Sequence, residues 1–412
     1  MSFLSSTIKK YFKHYQGLSK EAWEAILLTF LESLAGGLTF VLSVYFVSAL
    51  HFSVHMAGYL IASFSVGTTL GGLITGRLSD HMSPRYITVV SIFIHAVAYG
   101  FLVYLHNFTA LIINLFVMGV CSYGVITSNR IWLMKLCGAD SALRLKTVNI
   151  CYAVQNLASG ISSIFLGFFT MRTLPILFQC STAILFFTGI LLLFRPKHLP
   201  VSIQQHFHAA AQKPSTHSSA NLKIFLFVLA CLCVAGFYIS QMATTYNVFV
   251  EYCFPQMGLL AIGILSVVNT FAIVFFQAPL VAGIKDVNKL LIIGVGLTFM
   301  GCSYIVLNYS FELFSVAIIS MSIYSAGEML FFAVAQLLCY ENAPEKRRGQ
   351  AIGIYQAVYS MSRVVGPVIG GFMYQYGSPA MLWYFCALIG LLCLAFCIYY
   401  REFARVPLPE IL

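Results

Sequence analysis

The chain has 412 residues, of which 60% are hydrophobic and only 9% are charged, against roughly 25% charged in an ordinary soluble domain. That balance excludes a water-soluble enzyme. It also excludes a nucleic-acid-binding protein: despite a net charge of +10, the lysines and arginines lie singly or in small groups between apolar runs, the pattern of the positive-inside rule.

The first 20 residues are polar and basic (Lys9, Lys10, Lys13, Lys20). The apolar run after them is too long for a signal-peptide core and lacks a clear cleavage site, so the first span is expected to serve as its own insertion signal. A helix needs about 20 mainly apolar residues to cross a bilayer core. Such runs fall at 24–50, 57–77, 86–106, 108–128, 147–169 and 174–194. A polar stretch follows from Arg195 to about Lys223, with Pro196, Pro200, Pro214 and four histidines, and reads as a cytoplasmic linker. Six more runs lie at 223–250, 257–280, 289–307, 311–340, 350–376 and 379–400. The expected fold is an all-α membrane protein of twelve transmembrane helices in two pseudo-symmetric six-helix bundles. The first bundle with its short arm covers 1–194, the linker 195–222, and the second bundle with a short tail 223–412.

With twelve spans both termini share one side. If that side is the cytoplasm, all of the 23 lysines and arginines except Arg172 and Arg363 fall in cytoplasmic loops, tails or adjoining helix ends. A multi-pass protein of the inner membrane with both termini cytoplasmic is therefore expected. The halves also share a pattern. Residues 152–167 (YAVQNLASGISSIFLG) and 355–370 (YQAVYSMSRVVGPVIG) align tyrosine and final glycine at an offset of 203 residues (152 to 355, 167 to 370). Asp80 and Asp286 occupy corresponding loops. This is the mark of a parallel repeat about an axis along the membrane normal.

Most of the twelve cysteines sit in apolar runs, and no spacing fits a metal site or a disulfide framework. His206, His208 and His217 have no metal-ligand spacing either. No Walker loop, nucleophile elbow or zinc motif is present, so neither an enzyme nor a cofactor is expected.

Ionisable groups inside a bilayer cost roughly 2.5–3.5 kcal/mol and mark function by default. Glu32 lies about nine residues into span one, roughly 14 Å deep at 1.5 Å per residue. There a carboxylate can load and release a proton; a structural hydrogen bond to a neighbouring hydroxyl is the plainer role. Glu328 in span ten and Arg363 in span eleven lie at similar depth. They read as a buried ion pair that fixes packing, or as substrate contacts with Glu328 as a second coupling element. His95 lies mid-span in the third helix, where a single histidine more often hydrogen-bonds a neighbouring helix.

The loop after span two, GRLSDHMSPR at 76–85, resembles the G-x-L-x-D-x-x-G-x-R/K motif of the major facilitator superfamily through Gly76, Leu78, Asp80 and Arg85, with Ser83 in place of the second glycine. The likeness extends over the whole chain. Gly327-Glu328, Asn342-Ala343-Pro344, Arg348-Gly349, Gly366-Pro367 and Gly370-Gly371, with FLESLAGGLTFVL in span one, are similar to the twelve-helix drug:proton antiporter branch, the bacterial multidrug exporters. Two features depart from that branch: Leu115 stands where an arginine would precede Gly119, and span five lacks a Gly-Pro element.

The resemblance implies a proton-driven secondary transporter of small molecules that works as a monomer by alternating access. It implies a cytoplasmic gate in which Gly76 permits close helix approach, and Asp80 and Arg85 act with Arg130 at the end of span four. Asp286, Glu341 and Arg348 would form the second half's version. It also implies a substrate cavity among the inward faces of spans one, four, five, seven, ten and eleven. The candidates there are Tyr123, Asn149, Tyr152, Asn156, Tyr238, Gln241, Tyr246, Asn247, Gln336, Tyr355 and Tyr359. Mixed aromatic and amide side chains suit amphipathic molecules. A dedicated siderophore or metabolite carrier, exporting or importing, is the alternative within the superfamily. A transport-dead sensor or scaffold would carry an appended soluble domain or long tails.

Overall fold

In hydrocarbon every backbone N–H and C=O must find a partner within the protein, and a helix does this inside one segment. The computed structural model describes residues 18–136, 141–194, 222–284, 287–311, 313–342 and 348–400. Within its helices, the side chains of 80, 141–146, 148–149, 152–153, 278–279, 281–283, 333, 340–341 and 348–353 lie outside the description. All regular structure among the described residues is helical. In chain order the helices are α1 (Lys20–Ala49), α2 (Val54–His81), α3 (Pro84–Phe101), α4 (Phe108–Leu136), α5 (Ser141–Leu166), α6 (Leu174–Phe194) and α7 (Leu222–Cys253). They continue as α8 (Leu259–Gly283), α9 (Lys289–Asn308), α10 (Phe314–Glu341), α11 (Arg348–Phe372) and α12 (Pro379–Tyr400).

Among the described residues, 9 helices are long and apolar enough to cross a membrane. The remaining three assigned spans fall on α3, α5 and α11: polar residues lower the hydropathy of α3 (Arg85, His95) and α11 (Gln356, Arg363), and the described part of α5 contributes the shorter apolar stretch Val154–Leu166. Large apolar side chains such as Phe186, Phe187, Phe275, Phe276, Leu388 and Leu391 stand exposed on the outside of the bundle. In water such a surface would aggregate; in lipid it is solvated.

Local signals explain the helix ends. Ser19 caps α1 by accepting the Ala22 N–H at 3.2 Å. Pro84 opens α3, where its missing N–H costs nothing. Asn288 Oδ1 accepts from the N–H groups of Leu290 (3.0 Å) and Leu291 (3.3 Å) at the start of α9. Gly258, at φ +53° in the α7–α8 connection, adopts a left-handed conformation that suits glycine.

Two long helices are not uniform. The α1 helix tightens into a 3-10 turn at Gly37–Val41 and widens into a π turn at Tyr45–Ala49. At the start of the 3-10 turn α1 and α5 come very close: a Cβ on Gly37 would lie 2.8 Å from Ser162 Oγ, and that hydroxyl donates to the Leu34 carbonyl. The α7 helix is interrupted at Thr244 (φ −128°, ψ −93°), whose carbonyl accepts from Ser43 Oγ of α1 at 3.2 Å.

The halves of the chain meet through three helix pairs, α1 with α7, α2 with α11, and α5 with α8. The last two exchange under a six-helix shift, the relation that a parallel repeat produces. Hydrogen bonds joining the halves gather towards the face that holds the α1–α2 connection. There Asn247 Nδ2 donates to the Phe40 carbonyl (2.5 Å), Ser48 Oγ to Glu251 Oε2 (3.0 Å) and the Val54 N–H to Gln375 Oε1 (3.2 Å). Ser163 and Ser266 share a hydroxyl contact of 2.7 Å in the α5–α8 seam. Small residues let the backbones touch: a Cβ on Gly58 would strike the Pro367 carbonyl, and one on Gly371 would come to 3.1 Å from His55 Cα.

This face is therefore closed by direct packing, and a bulky side chain in its seam should open it. Gly58→Leu is expected to lengthen the distance between spin labels at positions 53 and 376, read by pulsed EPR. An unchanged distance would show that the α2–α11 seam does not hold the face shut.

A charged layer at mid-membrane and its cavity

The three charges that the sequence places deep in the membrane lie at one level. On α10, Phe332 follows Glu328 by one turn, and on α11 Arg363 follows Tyr359 by one turn, so each pair shares a helix face. The rings of Phe332 and Tyr359 meet across the α10–α11 seam at 5.8 Å. The two helices are antiparallel neighbours, so Glu328 and Arg363 both stand one turn to the same side of that contact. In the other half, Glu32 accepts from Ser122 Oγ of α4 at 3.1 Å, and Tyr123, the next residue on α4, neighbours Arg363 of the second half.

Sharing a level does not make Glu328 and Arg363 partners. Glu328 Oε2 turns to α8 and accepts from Asn269 Nδ2 at 2.9 Å; the same nitrogen reaches Ser325 Oγ at 3.0 Å. Arg363 turns the other way, its Cζ 5.7 Å from the centre of the Tyr359 ring and its guanidinium against Tyr123. The expected ion pair between them is not formed, because each side chain is drawn to a different neighbouring helix.

Glu328 lines a cavity of ≈ 200 Å³ at the junction of α1, α7, α8 and α10. Phe40, Met242, Met321 and Tyr324 supply apolar and aromatic surface; Asn247, Ser266 and Asn269 supply hydrogen-bonding groups. Glu328 is the one carboxylate among its lining residues. An apolar wall with one carboxylate and a few amides matches an amphipathic molecule bearing a positive charge.

Glu32 is 3% exposed. A crevice of ≈ 10 Å³, large enough for about one water, lies beside it and is lined by Thr29, Asn129, Arg130 and Gln155. Asn129 Nδ2 donates to the Ala25 carbonyl and to Thr29 Oγ1, both at 2.8 Å. Arg130 donates to Gln155 Oε1 at 3.2 Å, and its charge acts on Glu32.

Several sequence-assigned residues take other places. Tyr238 is fully buried and donates to the Cys386 carbonyl at 2.6 Å; Gln241, also fully buried, donates to the Gly366 carbonyl at 2.9 Å and accepts from Thr245. Both are struts inside the second half rather than cavity walls. Gln336 is exposed, and Tyr355 is buried. Tyr246 and Asn247 do line the cavity, Tyr123 and Tyr359 flank Arg363, and Asn156 is half-buried on α5.

His95 is wholly buried with neither ring nitrogen bonded among the described residues, its ring 5.6 Å from Tyr99. A Cβ on Gly76 would meet nothing within 4 Å, which corrects the expectation that this glycine permits close helix approach. Arg85 reaches across to the Leu192 carbonyl of α6 at 2.7 Å, tying down that helix end. Asp286 lies outside the described residues, as do the side chains of Asp80, Asn149, Tyr152, Glu341 and Arg348.

The sequence reading missed Asn269, Ser122 and Asn129. The detectable signal for Asn269 was an amide in the middle of the apolar run of span eight, a span not counted among the cavity helices.

A membrane-embedded helical bundle whose halves meet around buried charges and a small cavity is the architecture of a secondary transporter. The sequence profile of the Major Facilitator Superfamily matches residues 25–345 and 256–410, and the chain belongs to that family of transporters. It is 24% identical over 328 residues to the Quinolone resistance protein NorA of Staphylococcus aureus (strain COL), covering 77% of this chain and 80% of that one. It is 22% identical over 390 residues to the Uncharacterized MFS-type transporter YqjV of Bacillus subtilis (strain 168), covering 92% of each. Among solved structures, a POT family transporter in complex with a thioalcohol-conjugated peptide superposes with a TM-score of 0.78 at 12% identity, over 95% of this chain and 98% of that one. The nucleoside transporter NupG superposes at 0.72 with 14% identity, over 92% and 99%. At these identities the two structures speak to the fold alone.

Proposed function

We propose that the protein exports amphipathic, positively charged small molecules from the cytoplasm in exchange for protons, as a multi-pass protein of the inner membrane with both termini cytoplasmic. The observation that carries this reading is Glu328, set in the wall of a largely apolar and aromatic cavity with Asn269 as its hydrogen-bond partner. A cation bound there is attracted by a carboxylate whose hydrogen-bond partner is a neutral amide, at low local dielectric. The similarity to NorA supports a drug-like substrate.

Glu32 is the coupling group in this scheme. It is withdrawn from the cavity, bonded to Ser122 and beside a crevice with room for about one water. A proton arriving from outside neutralises Glu32. Rocking of the halves about the α2–α11 and α5–α8 seams then exposes it to the cytoplasm, where it is released. The face closed by the α1–α7 and α2–α11 contacts is, on the charge bias of the loops, the outer one.

The test is transport in proteoliposomes, with (1-naphthylmethyl)trimethylammonium as a permanently charged probe. With the lumen acidic, uphill accumulation is expected, and it should collapse on adding a protonophore. Accumulation that ignores the pH gradient would remove proton coupling from the scheme.

A further inference from the structure

The cavity accounts for a positive charge on the substrate; Arg363 asks for a negative one. A guanidinium at the level of Glu32 and Glu328 is costly in a membrane unless something balances its charge. Among the described residues no carboxylate lies within 4 Å of it. Its neighbours are the ring of Tyr359 and, from the other half, Tyr123, both neutral groups. It also sits where the two halves face one another, since Tyr123 belongs to α4 and Arg363 to α11.

Three described carboxylates are held elsewhere. Glu32 is held by Ser122, Glu328 by Asn269, and Glu251 by Ser48 near the closed face. A planar five-donor group of fixed charge between the two halves, with no carboxylate against it among the described residues, is suited to a carboxylate or phosphonate. Glu328 lies at the same level on the adjacent helix and faces the cavity side.

We infer that Arg363 is an anion subsite and that the transported molecule is a zwitterion, its cationic end at Glu328 and its acidic end at Arg363. This rests on the reading of the Glu328 cavity as the substrate site. The aromatic surface of Tyr324 and Tyr359 would hold the apolar body of the molecule between the two charges. The neutral Tyr123 partner is then the resting contact of the guanidinium, which the substrate's acid group replaces. The acid group thereby also meets a residue from the opposite half, Tyr123, whose hydroxyl can donate to it.

The experiment uses three probes on one naphthalene scaffold, measured by calorimetry on the full chain in nanodiscs. They are the quaternary cation named above, 1-naphthoate, and the betaine that carries both groups at positions 1 and 4. The betaine is expected to bind the wild type at least about 10-fold more tightly than the cation. Arg363→Gln should bring the betaine down to the level of the cation and leave the cation unchanged, and Arg363→Lys should recover part of the difference.

A betaine that binds the wild type no better than the cation overturns the inference without need of any variant. So does an Arg363→Gln protein in which both probes weaken equally, since that marks a packing role. If the cation itself fails to bind the wild type, the Glu328 cavity reading falls, and the anion subsite stands only if 1-naphthoate binds and is lost in Arg363→Gln.

Discussion

Glu32→Gln is expected to abolish uphill accumulation of the quaternary cation in acid-loaded proteoliposomes, a fall of about 100-fold, while leaving its binding within about threefold. The asymmetry follows from position. Glu32 is buried against Ser122 and is absent from the walls of the cavity that holds Glu328, so removing its charge takes away a proton carrier without taking away a ligand contact. Glutamine keeps the shape and can still accept from Ser122, so the packing of α1 on α4 should survive and the melting temperature should change little. In detergent, wild-type protein should release protons when the cation is added, and the variant should not. Release that persists in Glu32→Gln would move the coupling role to Glu328, the other deep carboxylate.

The complementary result is expected of Glu328→Gln. Cation binding should weaken by about 10- to 100-fold, near 1.4–2.8 kcal/mol. The neutral analogue 1-naphthylmethanol, which draws only on the apolar and aromatic walls, should bind as before. A charge–charge contact at 4 Å is worth about 4 kcal/mol at an effective dielectric of 20, and part of that is spent in desolvating both groups. Asn269→Ala should act in the opposite sense on the free protein: it removes the hydrogen bond that satisfies the carboxylate, so the empty cavity becomes costlier and the cation is held somewhat more tightly. Equal weakening of cation and neutral probe in Glu328→Gln would mean that the carboxylate shapes the cavity and does not recognise charge. Together the two glutamine variants separate coupling from recognition, because each is expected to lose what the other keeps.

Much of this molecule is fixed by composition and spacing alone. Sparse charge and repeated runs of about 20 apolar residues force a helical membrane protein, because lipid offers no partner for an open backbone. The GRLSDHMSPR stretch carried the family, and the rarity of charge inside the runs singled out Glu32, Glu328 and Arg363, since only function or tight pairing offsets the cost of placing them there. Depth along a helix follows from residue count, so their common level was legible too.

What the sequence could not supply is direction. Whether Glu328 turned to Arg363 or to Asn269 depended on which helix lay on each side of α10. The strut roles of Tyr238 and Gln241 required knowing that α7 packs tightly on α11 and α12, leaving no cavity at those positions. The open space beside Gly76 is likewise a property of neighbouring helices, not of the motif that contains it. Periodicity gives the face a residue occupies; only the packed bundle decides what that face meets, because helix–helix contacts in lipid are selected by surface fit between segments distant in the chain.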